Sequence, residues 1–94
     1  MIASFACKET QGIWSGKRSR KLPAEIQQRA LAKLALINAA ETVDDLRVPP
    51  GNRLEALKGS RNGQYSIRIN DQWRICFRFN LNPEVGVSAC EAKP

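Results

Sequence analysis

The chain of 94 residues contains no histidine, and that absence excludes several kinds of chemistry at once. Metal sites built on imidazole and nucleophiles activated by a Ser-His or Cys-His pair all require this residue. The three cysteines, Cys7, Cys76 and Cys90, are odd in number, widely spaced and without a CxxC pair. That pattern favours free thiols in a reducing cytosol over a disulfide framework or a zinc site. We therefore expect no metal and no cofactor.

Long apolar segments are also missing. No run of about 18 apolar residues occurs, so no membrane-spanning helix is predicted. The first residues lack the basic start and apolar core of a signal peptide, which indicates a cytoplasmic protein. The apolar fraction of 43% is ordinary for a globular chain, and the length fits one domain over residues 1–94.

Negative charge is scarce and unevenly placed. Lys and Arg number 15 against 9 Asp and Glu, for a net charge of +6. Seven of the basic residues lie from Arg47 to Arg78, where only Glu55 and Asp71 oppose them. Six of the seven are arginines, whose flat guanidinium binds phosphate through two hydrogen bonds and stacks on bases. We interpret this segment as a phosphate-binding surface, with a merely solvated basic surface or an acidic protein partner as the alternatives.

The clearest helix is predicted over residues 23–40. Pro23 suits a first helical turn, and Ile26, Ala30, Leu34 and Ile37 recur at the spacing of one apolar stripe. The stripe indicates a structural helix that packs on a core. The other elements predicted before residue 50 are a strand over residues 2–6, a helix over 8–15 and a helical turn over 41–46.

Apolar and polar residues alternate through residues 53–79, which predicts antiparallel strands over 53–57, 64–69 and 73–79. Their apolar rows face a core, so the fold class is α+β, with the N-terminal strand and two helices packed on one face of a small antiparallel sheet. A turn is predicted over 80–83, a further short strand over 85–89 and a frayed tail over 90–94. The opposite, polar face of the sheet gathers Arg53, Glu55, Arg68, Arg74 and Arg78, with Glu55 as its only carboxylate.

Two segments are distinctive enough to carry a family resemblance. Residues 47–59 read Arg-Val-Pro-Pro-Gly-Asn-Arg-Leu-Glu-Ala-Leu-Lys-Gly, and residues 63–79 read Gly-Gln-Tyr-Ser-Ile-Arg-Ile-Asn-Asp-Gln-Trp-Arg-Ile-Cys-Phe-Arg-Phe. These runs closely resemble the HigB toxins of the RelE/ParE superfamily, and the likeness covers about residues 1 to 79. The resemblance implies a RelE-like fold and a type II toxin that is a ribosome-dependent endoribonuclease. The implied partners are mRNA on the ribosome, a HigA-like helix-turn-helix antitoxin, and operator DNA only through that antitoxin.

The resemblance also implies site residues. Lys58 and Arg74 fall where the family places catalytic or phosphate-binding cations, and Glu55 falls where some members carry a catalytic histidine. Cleavage by 2′-OH attack needs a base, and nearby arginines favour an ionised Glu55, although Glu55 could merely pair with Arg53 or Arg74. Lys58 suits proton transfer or phosphate binding, and Arg74 suits transition-state stabilisation. The predicted RNA-positioning residues are Arg53, Arg61, Arg68 and Arg78.

Three residues near this face have ordinary structural interpretations. Tyr65 is predicted to pack in the core, with base stacking as the alternative. Asp71 serves a turn. Cys76 shares the strand parity of Arg74 and so lies on the polar face, but it has no histidine partner that would make it a nucleophile.

The chain departs from the family pattern in its last ten residues, Val-Gly-Val-Ser-Ala-Cys-Glu-Ala-Lys-Pro. Family members commonly end with a strand and an Asp-Tyr-His-like tail, and this stretch has neither Tyr nor His. A second hypothesis is therefore a non-catalytic member that keeps RNA, ribosome or antitoxin binding. A third is a ParE-like toxin that acts on DNA gyrase, since the superfamily shares its fold. The basic face favours RNA cleavage over the third, because gyrase inhibition needs no phosphate-clamping centre.

Overall fold

Two helices pack against a four-stranded antiparallel sheet in the structure, a computed structural model that describes residues 1–80, 82 and 85–94. The strands follow one another across the sheet in chain order, so each pairs with its sequence neighbour. This arrangement confirms the predicted α+β class. The helices are α1 (Lys8–Trp14) and α2 (Ala24–Ala39), and the strands are β1 (Glu55–Ala56), β2 (Gln64–Arg68), β3 (Arg74–Phe79) and β4 (Val87–Lys93). Short 3-10 turns cover Val43–Arg47, Pro50–Asn52 and Gly59–Arg61.

Helix α2 supplies one half of the core. The side chains of Ile26, Ala30, Leu34 and Ile37 are all fully buried, which confirms the predicted apolar stripe. The stripe packs on β3 and β4, and α1 packs beside it against β4. Pro23 is the N-cap residue immediately before the helix, so it does not lie in the first helical turn. Within the described part of the chain, neither helix combines the length and the apolar character needed to cross a bilayer.

The apolar face of the sheet supplies the other half of the core. Ile67, Ile75 and Phe77 are fully buried there, as the alternation predicts. The ring of Tyr65 stacks on that of Phe77 with their centroids 6.2 Å apart. Tyr65 therefore lies on the core side, which confirms its predicted packing and places its ring on the face opposite the arginines.

The C-terminal segment forms a strand, so the predicted frayed tail was wrong. β4 pairs along the length of β3, and its side chains Val87, Cys90 and Ala92 are buried. Those positions are three and then two residues apart, because the pairing is irregular opposite Cys76 and Arg78. The irregularity breaks the period of two, and the buried side chains are mostly small, so the sequence carries little strand signal here. The predicted turn over 80–83 lies partly outside the described residues. The predicted strand over 85–89 is confirmed only in its last three residues, because β4 begins at Val87 and continues to Lys93.

The predicted N-terminal strand is reduced to two isolated parallel bridges, Ile2 with Val87 and Phe5 with Cys90. The ladder is interrupted between them because Ala89 adopts a left-handed backbone, with φ of 55°. Its N–H is donated to Ser4 Oγ at 3.2 Å instead of to a backbone carbonyl. The N-terminal segment thus lies along the free edge of β4 and covers it without forming a continuous strand.

Candidate active site

The strand register aligns four polar side chains in one row across the whole sheet. Glu55 in β1 pairs with Ser66 in β2, Ser66 with Cys76 in β3, and Cys76 with Glu91 in β4. The two central side chains are buried and the two carboxylates stand at the ends of the row. The prediction of Glu55 as the only carboxylate on this face was therefore wrong, because Glu91 belongs to the strand that was expected to be frayed.

A second row of paired side chains, two residues away on each strand, consists only of cations. Arg68 in β2 pairs with Arg74 in β3, and Arg74 pairs with Lys93 in β4. Like charges placed directly opposite one another destabilise a sheet unless an anion compensates them. Asp71 forms an ion pair with Arg68, and Glu55 forms one with Arg74 at 3.0 Å. These pairs offset part of the repulsion, and the row remains a place where bound phosphate would stabilise the fold.

Arg74 is held in position from two sides. Its Nη1 donates to Glu55 Oε2 at 3.0 Å and to Ser66 Oγ at 3.2 Å. Its side chain is still 45% exposed, so the rest of its five-donor fork can meet a ligand. Glu55 and Arg74, two of the predicted catalytic residues, are thus in direct contact. The contact agrees with the pairing interpretation of Glu55 and is also compatible with a base beside the transition-state cation.

A cluster of three ionic side chains occupies the β4 side of the face. Arg61 Nη2 donates to Glu91 Oε1 at 2.9 Å, and Lys93 Nζ lies 3.3 Å from the same oxygen. The hydrogen bond to Glu91 raises the pKa of Arg61, so Arg61 stays charged. Sequence reasoning missed Glu91 and Lys93. Their spacing of two residues, which puts both on one face of a strand, was the available signal.

Arg78 and Lys58 lie on or beside this face without ion pairs among the described residues. Arg78 is exposed in β3, and its guanidinium lies over Gly63, whose φ is 92°. A Cβ at Gly63 would stand 2.8 Å from Arg78 Nη1, so glycine here leaves room for the arginine. Lys58 is exposed just before the 3-10 turn Gly59–Arg61, and its cation is available to a ligand.

Arg53 reaches the site from a turn, so its predicted place in a strand over 53–57 was wrong. It adopts φ of 47° as the cap of the turn Pro50–Asn52, and β1 begins only at Glu55. The turn is fixed by buried Asn52, whose amide donates to the carbonyl oxygens of Leu46 and Val48. The left-handed backbone conformation turns the chain before it enters the sheet.

An open pocket of about 680 Å³ collects several predicted residues at the end of the sheet where β2 turns into β3. Its cationic lining residues are Arg53, Arg68 and Arg74, and Trp73, which also packs against the core, is its aromatic lining residue. Lys58, Arg61 and Arg78 do not line it. The structure therefore gathers three of the predicted arginines in one cavity and spreads the other basic residues over the adjoining face.

All three cysteines are free thiols, and their surroundings predict different reactivities. Burial raises the pKa of Cys76 and raises that of Cys90 to about 12. Because the thiolate is the reactive form, iodoacetamide at pH 8 should modify partly exposed Cys7 at least about ten times faster than the other two. Mass spectrometry of peptides over time measures these rates, and unfolding in guanidinium should make the three similar. Fast native labelling of Cys90 would contradict the burial.

Comparison with known proteins adds an independent finding. Residues 4–88 match the family model for HigB-like toxins, described as the RelE-like toxin of type II toxin-antitoxin system HigB. Toxin HigB-1 of Vibrio cholerae is 44% identical over 63 residues, 67% of this chain and 66% of the relative. An uncharacterized protein of Haemophilus influenzae is 39% identical over 67 residues, 71% of this chain and 66% of the relative. Endoribonuclease HigB of Proteus vulgaris is 32% identical over 79 residues, 84% of this chain and 85% of the relative. The match to each of the first two relatives thus spans just under two thirds of its length.

Proposed function

We propose that this chain, which belongs to the HigB-like family of RelE-like toxins from type II toxin–antitoxin systems, cuts messenger RNA. The family match confirms the resemblance seen in the sequence and implies an antitoxin partner. The proposal adds that cutting takes place on the ribosome in the cytoplasm. We further propose that residues 1–94 form one toxin domain. The antitoxin in this proposal is a HigA-like helix-turn-helix protein, and only the antitoxin contacts operator DNA.

The cationic row of Arg68, Arg74 and Lys93 is the observation that carries this proposal. Attack of a 2′-OH on the adjacent phosphate builds negative charge on a crowded phosphorane, and fixed cations stabilise it. The guanidinium of Arg74 is the best positioned of the three because Glu55 and Ser66 hold it. A row of like charges that weakens the sheet is expected where a ligand supplies the missing anion.

The two proton transfers need an acceptor for the 2′-proton and a donor for the 5′-oxygen. We assign the first to Glu55, which contacts Arg74 and therefore lies beside the phosphate in this arrangement. Lys58, exposed two residues after β1, is assigned to proton donation or to holding the phosphate. Arg53 and Arg68 position the RNA backbone from the pocket, and Arg61 and Arg78 do so from the adjoining face.

The binding-only alternative rested on a tail without Tyr or His. The strand β4 is formed nonetheless, and it adds a carboxylate, Glu91, and a cation, Lys93, to the polar face. Ionisable side chains are therefore present where the altered tail would have left none. This favours the enzyme over the binding-only member. The ParE-like alternative gives no reason for a row of cations.

Inducing the chain alone and mapping transcript ends tests the proposal. New 5′ ends should arise inside translated regions within minutes, and purified protein should cut mRNA on programmed ribosomes and leave the same naked mRNA intact. Growth arrest without new transcript ends would support the binding-only or gyrase alternative. Equal cutting of naked and ribosome-bound mRNA would remove the ribosome from the proposal and retain the endoribonuclease.

A further inference from the structure

A second basic pocket, of about 430 Å³, lies between helix α2 and the end of β2, next to the pocket of the candidate active site. Its cations are Arg29 and Lys33 of α2 together with Arg68 at the end of β2. Arg68 and Asn70 line both this pocket and the pocket of the candidate active site. The two cavities are therefore neighbours that share a wall, and together they pass from the polar face of the sheet, over the β2–β3 turn, to the helical side.

On the helical side of this surface, two positive charges have no acidic partner among the described residues. Arg29 and Lys33 are four residues apart on α2, and like charges at that spacing destabilise a helix. Arg29 is exposed and has no ion pair among the described residues. Lys33 Nζ donates to Asn52 Oδ1 at 2.5 Å, which leaves two of its three donors for a ligand. Among the described residues that line the two pockets, Asp71 is the only acidic one.

We propose that the two pockets form one track for single-stranded RNA, in which Arg29 and Lys33 bind backbone phosphates of nucleotides outside the cleaved step. The inference rests on the proposed function, because the track begins at the candidate active site. It assigns to α2 a second role beside its structural one. The ligand is the phosphate backbone of the same strand that enters the site, and recognition on the helical side is independent of base sequence.

The aromatic residue in the lining of the first pocket favours RNA over an acidic protein segment. Trp73 lines the first pocket together with Arg53 and Arg74, and it is partly buried because it also packs against the hydrophobic core. A cationic groove with an aromatic ring along it is the arrangement that binds single strands, since the ring stacks on a base while the cations follow the backbone. An acidic peptide would pair with the cations and make no use of the aromatic residue in the lining.

Binding of uncleavable RNA to the purified protein tests the track. The probes are a trinucleotide and an oligonucleotide about nine residues long, both 2′-O-methylated, titrated at several salt concentrations. The longer probe should bind more tightly to the wild type. Arg29→Ala should weaken the longer probe about fivefold and reduce the slope of log affinity against log salt by about 0.7, since one phosphate contact is lost. The trinucleotide should show neither change.

Arg20→Ala is the matched control, because Arg20 is exposed, lines neither pocket and carries the same charge. Equal behaviour of the two variants on the longer probe would overturn the track, as would a wild-type affinity that does not rise with length. An Arg29→Ala variant that loses only ribosome binding or only antitoxin binding would also overturn it, by assigning the surface to ribosomal RNA or to protein. The transcript-end mapping judges the proposed function separately, so the two failures are distinguishable.

Discussion

Replacing Arg74 with alanine is expected to lower the rate of RNA cleavage by about 10²–10³ and to abolish growth inhibition while the protein stays folded. Loss of one well-positioned donor to a transition state costs about 2–4 kcal/mol of barrier. Arg74 meets that description because it stands in the middle of the cationic row and is held by Glu55 and Ser66. Single-turnover cleavage on programmed ribosomes measures the rate, and growth after induction measures the toxicity.

The fold should tolerate this change because the ion pair that it removes is well exposed. The side chains of Arg74 and Glu55 are 45% and 59% exposed, and such pairs contribute about 0–1 kcal/mol. Arg47→Ala is the matched control, since Arg47 also pairs with a carboxylate, that of Asp44, at 2.9 Å, and lies outside the candidate site. If Arg74→Ala cleaves RNA as fast as Arg47→Ala and the two proteins have the same thermal midpoint, Arg74 has no part in the mechanism.

Arg74→Lys separates charge from geometry in the same assay. Lysine keeps the positive charge and loses the flat fork that reaches two oxygens. A rate between those of the wild type and the alanine variant is therefore expected. Recovery to the wild-type rate would show that the cation row acts only through its net charge.

The parts of the fold that sequence reasoning predicted well are those with bulky residues in a regular period. The stripe on α2, with Ile26 and Leu34 at helical spacing, and the row on β3, with Ile75 and Phe77, are fully buried as expected. A large apolar side chain loses much free energy when it is exposed, so its repeat fixes which face of an element turns inward. Parity then placed Glu55, Arg68 and Arg74 on the other face.

The rest of the site depends on features that no local pattern carries. Arg53 leaves the predicted strand because of one left-handed backbone angle, and an arginine there gives no sequence sign of it. Lys93 joins Arg68 and Arg74 only because β4 adds itself to β3 with an irregular register. The cationic row is thus a product of pairing between distant segments. Glycine, proline and period counts describe neighbours along the chain and are silent about such pairs.

Glu55→Gln separates the two interpretations of Glu55, general base and ion-pair partner. The amide oxygen of glutamine can still accept the hydrogen bond from Arg74, but the side chain cannot take up the 2′-proton. If Glu55 is the base, cleavage should slow by about 10²–10⁴. The wild-type rate should fall as acid protonates the carboxylate, and the variant should lose that part of its pH profile. A near-wild-type rate with the profile unchanged would leave Glu55 as a partner of Arg74 only.

Glu91→Gln is the matched variant at the opposite end of the same row of side chains. Its carboxylate also accepts from an arginine, Arg61, at 2.9 Å, but among the described residues it forms no ion pair with Arg74. We expect a smaller loss of rate and an acid limb like that of the wild type, because the phosphate is assigned to the Arg74 side of the face. The reverse result, in which Glu91→Gln loses the acid limb and Glu55→Gln keeps it, would move the base to β4. The part of β4 that was predicted to be frayed would then supply the proton acceptor, and Glu55 would serve to hold Arg74.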